Sequence, residues 1–252
     1  MRPRPGEEIE VDIDRAAMEG RGVGRIGDLV VFVERGLPGE RVRAAVVRSK
    51  KSFVEARAIE VLRASPARVP GRCVHLGTCG GCSWQELAYE AQVAAKTDLV
   101  RESLERLGNL RGVDVLPAIA SPRPFHYRNK MEFSFFAGHD GSIVLGLHVP
   151  GTFDRVFDLE ACHLMSESSN RIVACARRLA ADSGLPAYHS RRHEGYWRYL
   201  VVREAKATGQ IMVNVVTNAG AMPNGAEWVA ALRREVPAIT SLPLLRMASA
   251  LA

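Results

Sequence analysis

Residues 7–14 read EEIEVDID, a stretch in which Ile9, Val11 and Ile13 alternate with acidic side chains. This period of two predicts a β-strand with one buried and one solvated face. Similar segments follow, namely LVVFVERG at 29–36, ERVRAAVVRSK at 40–50 and SFVEARAIEVL at 52–62. Because they are short and separated by glycine, proline or polar residues, they predict a small OB-like β-barrel over residues 1–62.

A glycine-rich segment, GVGRIG at 22–27, lies between the first two of these strands and has the spacing of a dinucleotide-binding loop. That motif requires a helix directly after it, whose N-terminal amides bind the pyrophosphate. Here the β-rich sequence DLVVFVERG follows, so we interpret the segment as a tight turn between strands. Arg21 and Arg25 on this turn are candidates for contacts to RNA phosphates, and a solvated loop is the alternative.

The pattern changes after the barrel. Residues 63–116 contain a proline-bearing linker, a loop with three cysteines and a long helix predicted over 84–108, with Val93, Val100, Leu104 and Leu107 on one apolar face. Residues 117–241 alternate hairpin and helix patterns, which predicts an α+β domain. Residues 242–252 form a separate tail.

Composition limits the class of protein. The chain is 47% hydrophobic and 25% charged, as expected for a globular protein, and its net charge of +6 fits an anionic partner such as RNA. It has no apolar run of about 18 residues and no secretory signal, so we expect a cytoplasmic monomer that does not bind membranes. Structural disulfides are rare in the cytosol, and the cysteines therefore suggest a metal site.

The cysteines form a spaced constellation. Cys73, Cys79 and Cys82 give C-x5-C-x2-C, and Cys162 stands far down the chain in DLEACHLM. Structural zinc sites usually use two C-x2-C pairs, whereas three cysteines in a loop and one remote cysteine suit a [4Fe–4S] cluster. A mixed site with His75 or His163 keeps zinc open as an alternative. Cys175, within a predicted helix, is interpreted as a core residue.

Together these motifs resemble the RNA 5-methyluridine (uracil-C5) methyltransferases that contain an iron–sulfur cluster, the group that methylates uridine in 23S rRNA and has tRNA-modifying relatives. The resemblance rests on GRGVGR, the cysteine loop with WQELAYEAQVAAK, YRNKMEFSF, DLEACHL and RYLVVREAKATGQIMVNVVTN. It implies a TRAM domain that binds RNA. It also implies a [4Fe–4S] cluster on Cys73, Cys79, Cys82 and Cys162.

In this family a C-terminal Rossmann-like domain binds S-adenosylmethionine and performs the chemistry with a cysteine nucleophile and a carboxylate base. No strand–glycine-loop–helix unit follows residue 184, and the tail LPLLRMASALA does not resemble the family's continuation. We therefore expect a chain truncated before the catalytic domain. Such a chain would have no Rossmann-like domain, no S-adenosylmethionine site, no catalytic residue and no activity alone.

Further RNA-binding candidates are Tyr127, Arg128 and Lys130 in YRNKMEFSF. In a strand, Arg128 and Lys130 would project to one face and contact phosphates, while Tyr127 would stack on an unpaired base. The alternatives are a solvated charged face and core packing. The resemblance favours rRNA over tRNA as the partner. Other functions stay open: a non-catalytic RNA-binding iron–sulfur protein, a zinc-stabilised RNA-binding module, or a redox module.

Overall fold

The computed structural model describes residues 2–138, 140–220, 222 and 224–247. The chain divides into two compact units. The first unit comprises Met1–Arg72 and Gly81–Pro122, and the second comprises Cys73–Gly80 and Arg123–Ala252. The domain limits expected from the sequence, at residues 62, 116 and 241, stay predictions.

The first unit contains a closed five-stranded barrel. Its strands are β1 (Glu8–Ala16), β2 (Gly22–Ile26), β3 (Leu29–Glu34), β4 (Arg41–Ser49) and β5 (Phe53–Arg63), in the order β1-β2-β3-β5-β4. Alternate side chains fill the interior, including Val11, Ile13, Val31, Val42 and Val54. The predicted β-barrel is confirmed, and its strand limits lie within two residues of those expected, because the period-two pattern is strict there.

The glycine-rich segment is a strand and not the predicted turn. Within β2, a Cβ on Gly24 would lie 2.1 Å from the carbonyl oxygen of Asp12, and one on Gly22 would lie 2.6 Å from that of Gly36. These glycines therefore allow neighbouring backbones to approach closely, and only Gly27, with φ +56°, turns the chain. The segment is followed by strand β3 and not by the helix that a dinucleotide-binding loop needs, so the rejection of a dinucleotide site is confirmed.

The long helix, α1 (Tyr89–Arg106), begins five residues later than predicted because the preceding residues form a turn and a β-bridge between Leu87 and Arg68. The amide of Val69 donates to the carbonyl of Glu86 at 2.8 Å, and that of Ala88 donates to Ala67 at 2.8 Å. The predicted apolar face is only partly covered, since Val93 and Leu104 are half-buried but Val100 and Leu107 are 52% and 87% exposed. Helical periodicity identified the face but not whether anything covers it.

The second unit is built on a seven-stranded sheet. Its strands are β6 (Lys130–Ala137), β7 (Ile143–His148), β8 (Val156–Asp158), β9 (Trp197–Ala205), β10 (Gln210–Asn218), β11 (Ile239–Ser241) and β12 (Leu244–Met247). The order is β11-β10-β9-β6-β7-β8, and β12 pairs with β10. Helices α2 (Glu167–Asp182) and α3 (Gly225–Glu235) pack on one face, where Trp228 stacks on Trp197 at 4.7 Å. The predicted α+β fold is confirmed.

Strand β12 falls within the predicted tail, and residues 248–252 lie outside the described residues. Leu244 pairs with Val215 and Arg246 with Thr217, so this part of the tail extends the sheet in parallel to β10. Across the described ranges, none of the helices combines the length and apolarity that a membrane span requires.

A buried carboxylate fixes the start of α2. Glu204 of β9 accepts hydrogen bonds from the hydroxyls of Ser166 and Ser169 and from the ammonium of Lys206. Burial alone would raise the pKa of Glu204, but the hydrogen bonds from Lys206, Ser166 and Ser169 outweigh it and lower that pKa. Ser166 also caps the helix by accepting from the amide of Ser169. Glu204 is therefore charged and links the sheet to α2.

Candidate functional site

His75 anchors the first part of the cysteine loop within the second unit. Its ring is buried, and Nε2 accepts a hydrogen bond from the backbone amide of Glu160 at 3.0 Å. The ring also packs on Phe157, with centroids 4.9 Å apart. Glu160 stands two residues before Cys162, and His75 two residues after Cys73, so this contact joins the two cysteine-bearing segments. Because Nε2 is engaged, His75 is a positioning residue here and a poor ligand.

Cys162 is held by the first turn of α2. Its amide donates to Asn170 Oδ1 at 2.8 Å, and Asn170 Nδ2 donates back to the carbonyl of Cys162 at 3.3 Å. The side chain of Cys162 is buried. The two reciprocal bonds fix the backbone on which the predicted remote ligand stands. The sequence did not predict this role of Asn170. The one available signal was that Asn170 stands at the start of a predicted helix, eight residues after Cys162.

The segment around Cys82 belongs to the first unit, where it is fixed on the connection between β1 and β2. Trp84 Nε1 donates to the carbonyl of Gly20 at 2.9 Å, and the hydroxyl of Ser83 donates to that of Glu19 at 3.0 Å. Gln85 Nε2 lies 3.2 Å from Cys82 Sγ and donates to it. Such N–H···S bonds stabilise a ligating thiolate.

Of the four predicted ligands, Cys73, Cys79 and Cys162 therefore lie in the second unit and Cys82 in the first. Among the described residues, no group of three or more His, Cys, Asp or Glu side chains is arranged to hold a metal ion. The cluster ligands accordingly stay a prediction. Cys175 is buried in α2, and burial raises the pKa of its thiol, as suits the core residue inferred from the sequence.

The structure separates the two RNA-binding candidates of the barrel. Arg21 is engaged within the protein, since it pairs with Glu19 at 2.8 Å and Glu55 at 3.3 Å and lies over the ring of Phe32. Arg25 is exposed on β2 and donates only weakly, at 3.4 Å, to the carbonyl of Asp28. Arg25 is therefore the better placed of the two to reach a phosphate.

Tyr127 and Arg128 precede β6, so the predicted strand over these residues is wrong. Tyr127 is exposed, as base stacking requires. Arg128 is half-buried: its amide donates to Leu164 at 3.0 Å, and its guanidinium lies 3.6 Å from the sulfur of Met131. At Arg128 the backbone bonds to Leu164, in the segment before α2, and not to a neighbouring strand. The side chains of residues 127 and 128 therefore do not alternate between two faces of a sheet.

Lys130 is exposed at the first position of β6 and faces Arg203 of β9 directly in the register of the sheet. The two cations border a cleft of about 460 Å³ whose lining also includes Asn129, Glu204, Gln210 and Thr240. Like charges opposite each other destabilise a sheet unless an anion lies between them. Arg203 was missed from the sequence because nothing local reveals which strand pairs with β6.

Comparisons with known proteins bear on both units. The family model of the TRAM domain matches residues 2–59. A protein of Chlorobaculum tepidum named an uncharacterized RNA methyltransferase is 38% identical over 234 residues, covering 86% of this chain and 48% of the relative. One of Nitratidesulfovibrio vulgaris with the same description is 39% identical over 240 residues, covering 93% and 50%. The chain thus spans about half the length of the curated relatives it matches.

Among solved structures, the tRNA (uracil-54, C5)-methyltransferase of Pyrococcus abyssi in complex with S-adenosyl-L-homocysteine superposes with a TM-score of 0.62. It is 24% identical and the match covers 86% of this chain and 48% of that one, so the likeness concerns the fold. The TRAM match supports the predicted barrel type.

The expected truncation is not supported, because the similarity runs along 86% and 93% of the chain. The expectations that a Rossmann-like domain and an S-adenosylmethionine site are absent rested on the same reasoning about where the sequence ends. They are likewise not supported by these matches and are not carried further.

Proposed function

We propose that this chain contributes the RNA-binding part of an S-adenosylmethionine-dependent RNA methyltransferase that acts on C5 of uracil. The observation that carries the proposal is the similarity to named RNA methyltransferases along most of the chain, beginning with a TRAM barrel. The cysteine loop and YRNKMEFSF add support, since they resemble the uracil-C5 group. S-Adenosylmethionine, when bound, supplies an electrophilic methyl group.

The residues of the second unit suit the task of holding RNA. Lys130 and Arg203 place two cations opposite each other at one cleft, where a phosphate would relieve their repulsion. The exposed ring of Tyr127 lies two to three residues before this cleft along the chain and can stack on an unpaired base. We propose rRNA as the substrate, with tRNA as the alternative.

We further propose that Cys73, Cys79, Cys82 and Cys162 bind a [4Fe–4S] cluster. Two local features support it: the hydrogen bond between His75 and Glu160 joins the segments of Cys73 and Cys162, and an amide donor stands at Cys82 Sγ. The engagement of His75 Nε2 disfavours His75 as a zinc ligand. When bound, the cluster supplies iron–thiolate bonds that cross-link these segments, and its role is structural.

Deleting the gene in its native host tests the enzyme proposal. Nucleoside mass spectrometry of purified rRNA and tRNA should then show the loss of 5-methyluridine from one of the two, and expression of the intact gene from a plasmid should restore it. Unchanged 5-methyluridine in both RNA classes would overturn the proposal. That the 252-residue chain is inactive by itself stays a prediction, which a methyl-transfer assay on the purified chain checks.

Metal analysis tests the cluster separately. Anaerobically purified protein should contain about four iron and four sulfide per chain. Cys162→Ser should lose most of this iron, whereas the matched variant Cys175→Ser, at another buried cysteine of the second unit, should keep it. Stoichiometric zinc without sulfide would replace the iron–sulfur assignment by a zinc-stabilised module.

A further inference from the structure

We propose that RNA phosphates bind one end of the TRAM barrel, the basic end, and not the arginine-rich wall of the same barrel. The basic end consists of Arg2, Arg4, Arg25, Arg48, Lys50 and Lys51. The inference rests on the proposed RNA-binding function and adds to it the surface that is used. It follows from how the barrel distributes its ion pairs.

The wall formed by β1, β4 and β5 neutralises itself. Arg41 pairs with Glu10 of the neighbouring strand at 3.0 Å, and Arg63 pairs with Asp12 at 2.8 Å. Arg43 likewise contacts Glu60 of β5. A phosphate arriving here would have to displace a carboxylate from each arginine and would face the remaining acidic side chains of β1.

The pairing between β3 and β5 extends the same pattern, because Arg57 contacts Glu34 at 2.9 Å. These contacts are exposed and individually weak. Their effect on binding is nevertheless systematic, since every cation on this wall already has an anionic neighbour. The wall therefore has little net positive potential to offer to RNA.

The basic end is the end of the barrel that carries the β4–β5 and β2–β3 turns. Arg41 and Arg63, at the start of β4 and the end of β5, lie at the other end. The amide of Lys50 donates to the carbonyl of Phe53 at 2.9 Å and closes the β4–β5 turn. Phe53 pairs with Val30 of β3, and Val30 pairs with Arg25 of β2, so Arg25 and the turn lie at one end. Arg2 reaches the same place, since its guanidinium donates to the carbonyl of Lys51 at 3.5 Å.

The charges at this end are not neutralised in the same way. Within residues 2–138, no carboxylate lies within ion-pair distance of Arg2, Arg4, Arg25, Lys50 or Lys51. Arg48 has a weak partner in Glu55, at 3.8 Å, and that carboxylate also pairs with Arg21 at 3.3 Å.

The acidic residues closest in sequence to these turns leave the cations available. The carboxylate of Glu7 accepts the backbone amide of Arg4 at 2.9 Å and leaves its guanidinium open. The guanidinium of Arg25 donates to the backbone carbonyl oxygen of Asp28 and not to its carboxylate. Several exposed cations thus stand at this end without a carboxylate paired to their side chains, which is the kind of surface that a phosphate backbone neutralises.

The salt dependence of RNA binding by the full chain tests the inference, with a fluorescent single-stranded oligouridylate as the probe. Each phosphate contact that is lost lowers the magnitude of the slope of log K against log salt by about 0.7. Lys50→Gln/Lys51→Gln should therefore lower it by roughly 1.4, and Arg25→Gln by roughly 0.7.

The control is Arg41→Gln/Arg57→Gln, which removes the same two charges from the wall and should leave the slope unchanged. Lys50 and Lys51 are exposed turn residues, so their double variant should retain the circular dichroism spectrum of the parent chain. The equal change in net charge means that any difference between the two double variants reports where the RNA lies.

The outcomes separate the two proposals. If the parent chain does not bind RNA at low salt, the proposed function fails and the inference fails with it. If the parent binds with a clear salt dependence but Lys50→Gln/Lys51→Gln keeps the parental slope, only the inference is overturned. A loss of slope in the wall variant as large as that in the turn variant also refutes it.

Discussion

Replacing Arg68 with alanine is expected to destabilise the first unit by about 3–5 kcal/mol. Glu40 is completely buried at 0% exposure, and its carboxylate accepts the amide of Leu37 at 3.0 Å. Arg68 donates to the same carboxylate through Nε at 2.6 Å and Nη2 at 3.2 Å, and to Glu86 through Nη1 at 2.5 Å. The hydrogen bond to Glu40 is the main reason that the pKa of Arg68 is raised.

The magnitude follows from the burial of Glu40. Removing Arg68 leaves a carboxylate without its counter-ion in a place that water does not reach, and breaking such a pair from one side has that cost. The pair of Arg57 and Glu34 provides the contrast, since their side chains are 56% and 47% exposed. Arg57→Ala should therefore cost only about 0.2–1 kcal/mol.

Hydrogen exchange of the full chain measures the effect where it arises. The amide of Ile13 donates to the carbonyl of Glu40 at 2.7 Å and reports opening of the barrel. In Arg68→Ala this amide should exchange roughly 10²- to 4 × 10³-fold faster, or lose its protection entirely if the free energy of unfolding of the barrel is smaller than the expected loss. Glu40→Gln/Arg68→Met should exchange more slowly than Arg68→Ala, because no lone charge remains buried.

A change in Arg68→Ala no larger than that in Arg57→Ala would refute the reasoning. It would mean that the carboxylate of Glu40 reaches water or another partner once the arginine is gone. An equal effect of Glu40→Gln/Arg68→Met and Arg68→Ala would contradict the assigned cause in another way, since it would attribute the loss to side-chain packing and not to the uncompensated charge.

Three further outcomes are expected. Ser169→Ala should lower the unfolding free energy above pH 5 by about 1.5–3 kcal/mol. In urea titrations at several pH values, the parent should lose the stability that the lowered pKa of Glu204 confers as the pH falls below about 4.3, and the variant should lose less. Gly24→Ala should reduce thermal stability by about 1–3 kcal/mol or more, because its Cβ would lie 2.1 Å from the carbonyl oxygen of the adjacent strand. Arg203→Glu should pair with Lys130 and stabilise the sheet by about 0.2–1 kcal/mol in denaturant titrations, yet weaken RNA binding in the same preparation.

The sequence determined the barrel and the α+β unit well where side-chain periodicity was regular. It failed at β2, because glycines that let strands approach closely look the same in sequence as glycines that form a turn. It also failed for the exposed face of α1, where Leu107 fits a helical pattern but is not covered. In both cases the missing information lay in the packing of distant segments.

The candidate site shows the same division. Cysteine spacing along the chain predicted the ligand set, but the contact of His75 with Glu160 joins residues 85 positions apart and has no local signature. Arg203 is equally invisible, because its position opposite Lys130 depends on β6 pairing with β9 and not only with the consecutive strand β7. Residue types could be inferred locally, whereas partners required the strand order.

A net charge of +6 indicated an anionic partner but not its position. The ion pairs refine this, because an arginine such as Arg41 that already contacts a carboxylate adds to the net charge without creating an attractive surface. The cations that we propose to bind RNA are those that have another cation beside them, as at Lys50 and Lys51 in the first unit and at Lys130 and Arg203 in the second. Such groupings reduce stability in the absence of a ligand, and the RNA phosphates proposed here would offset that cost on binding.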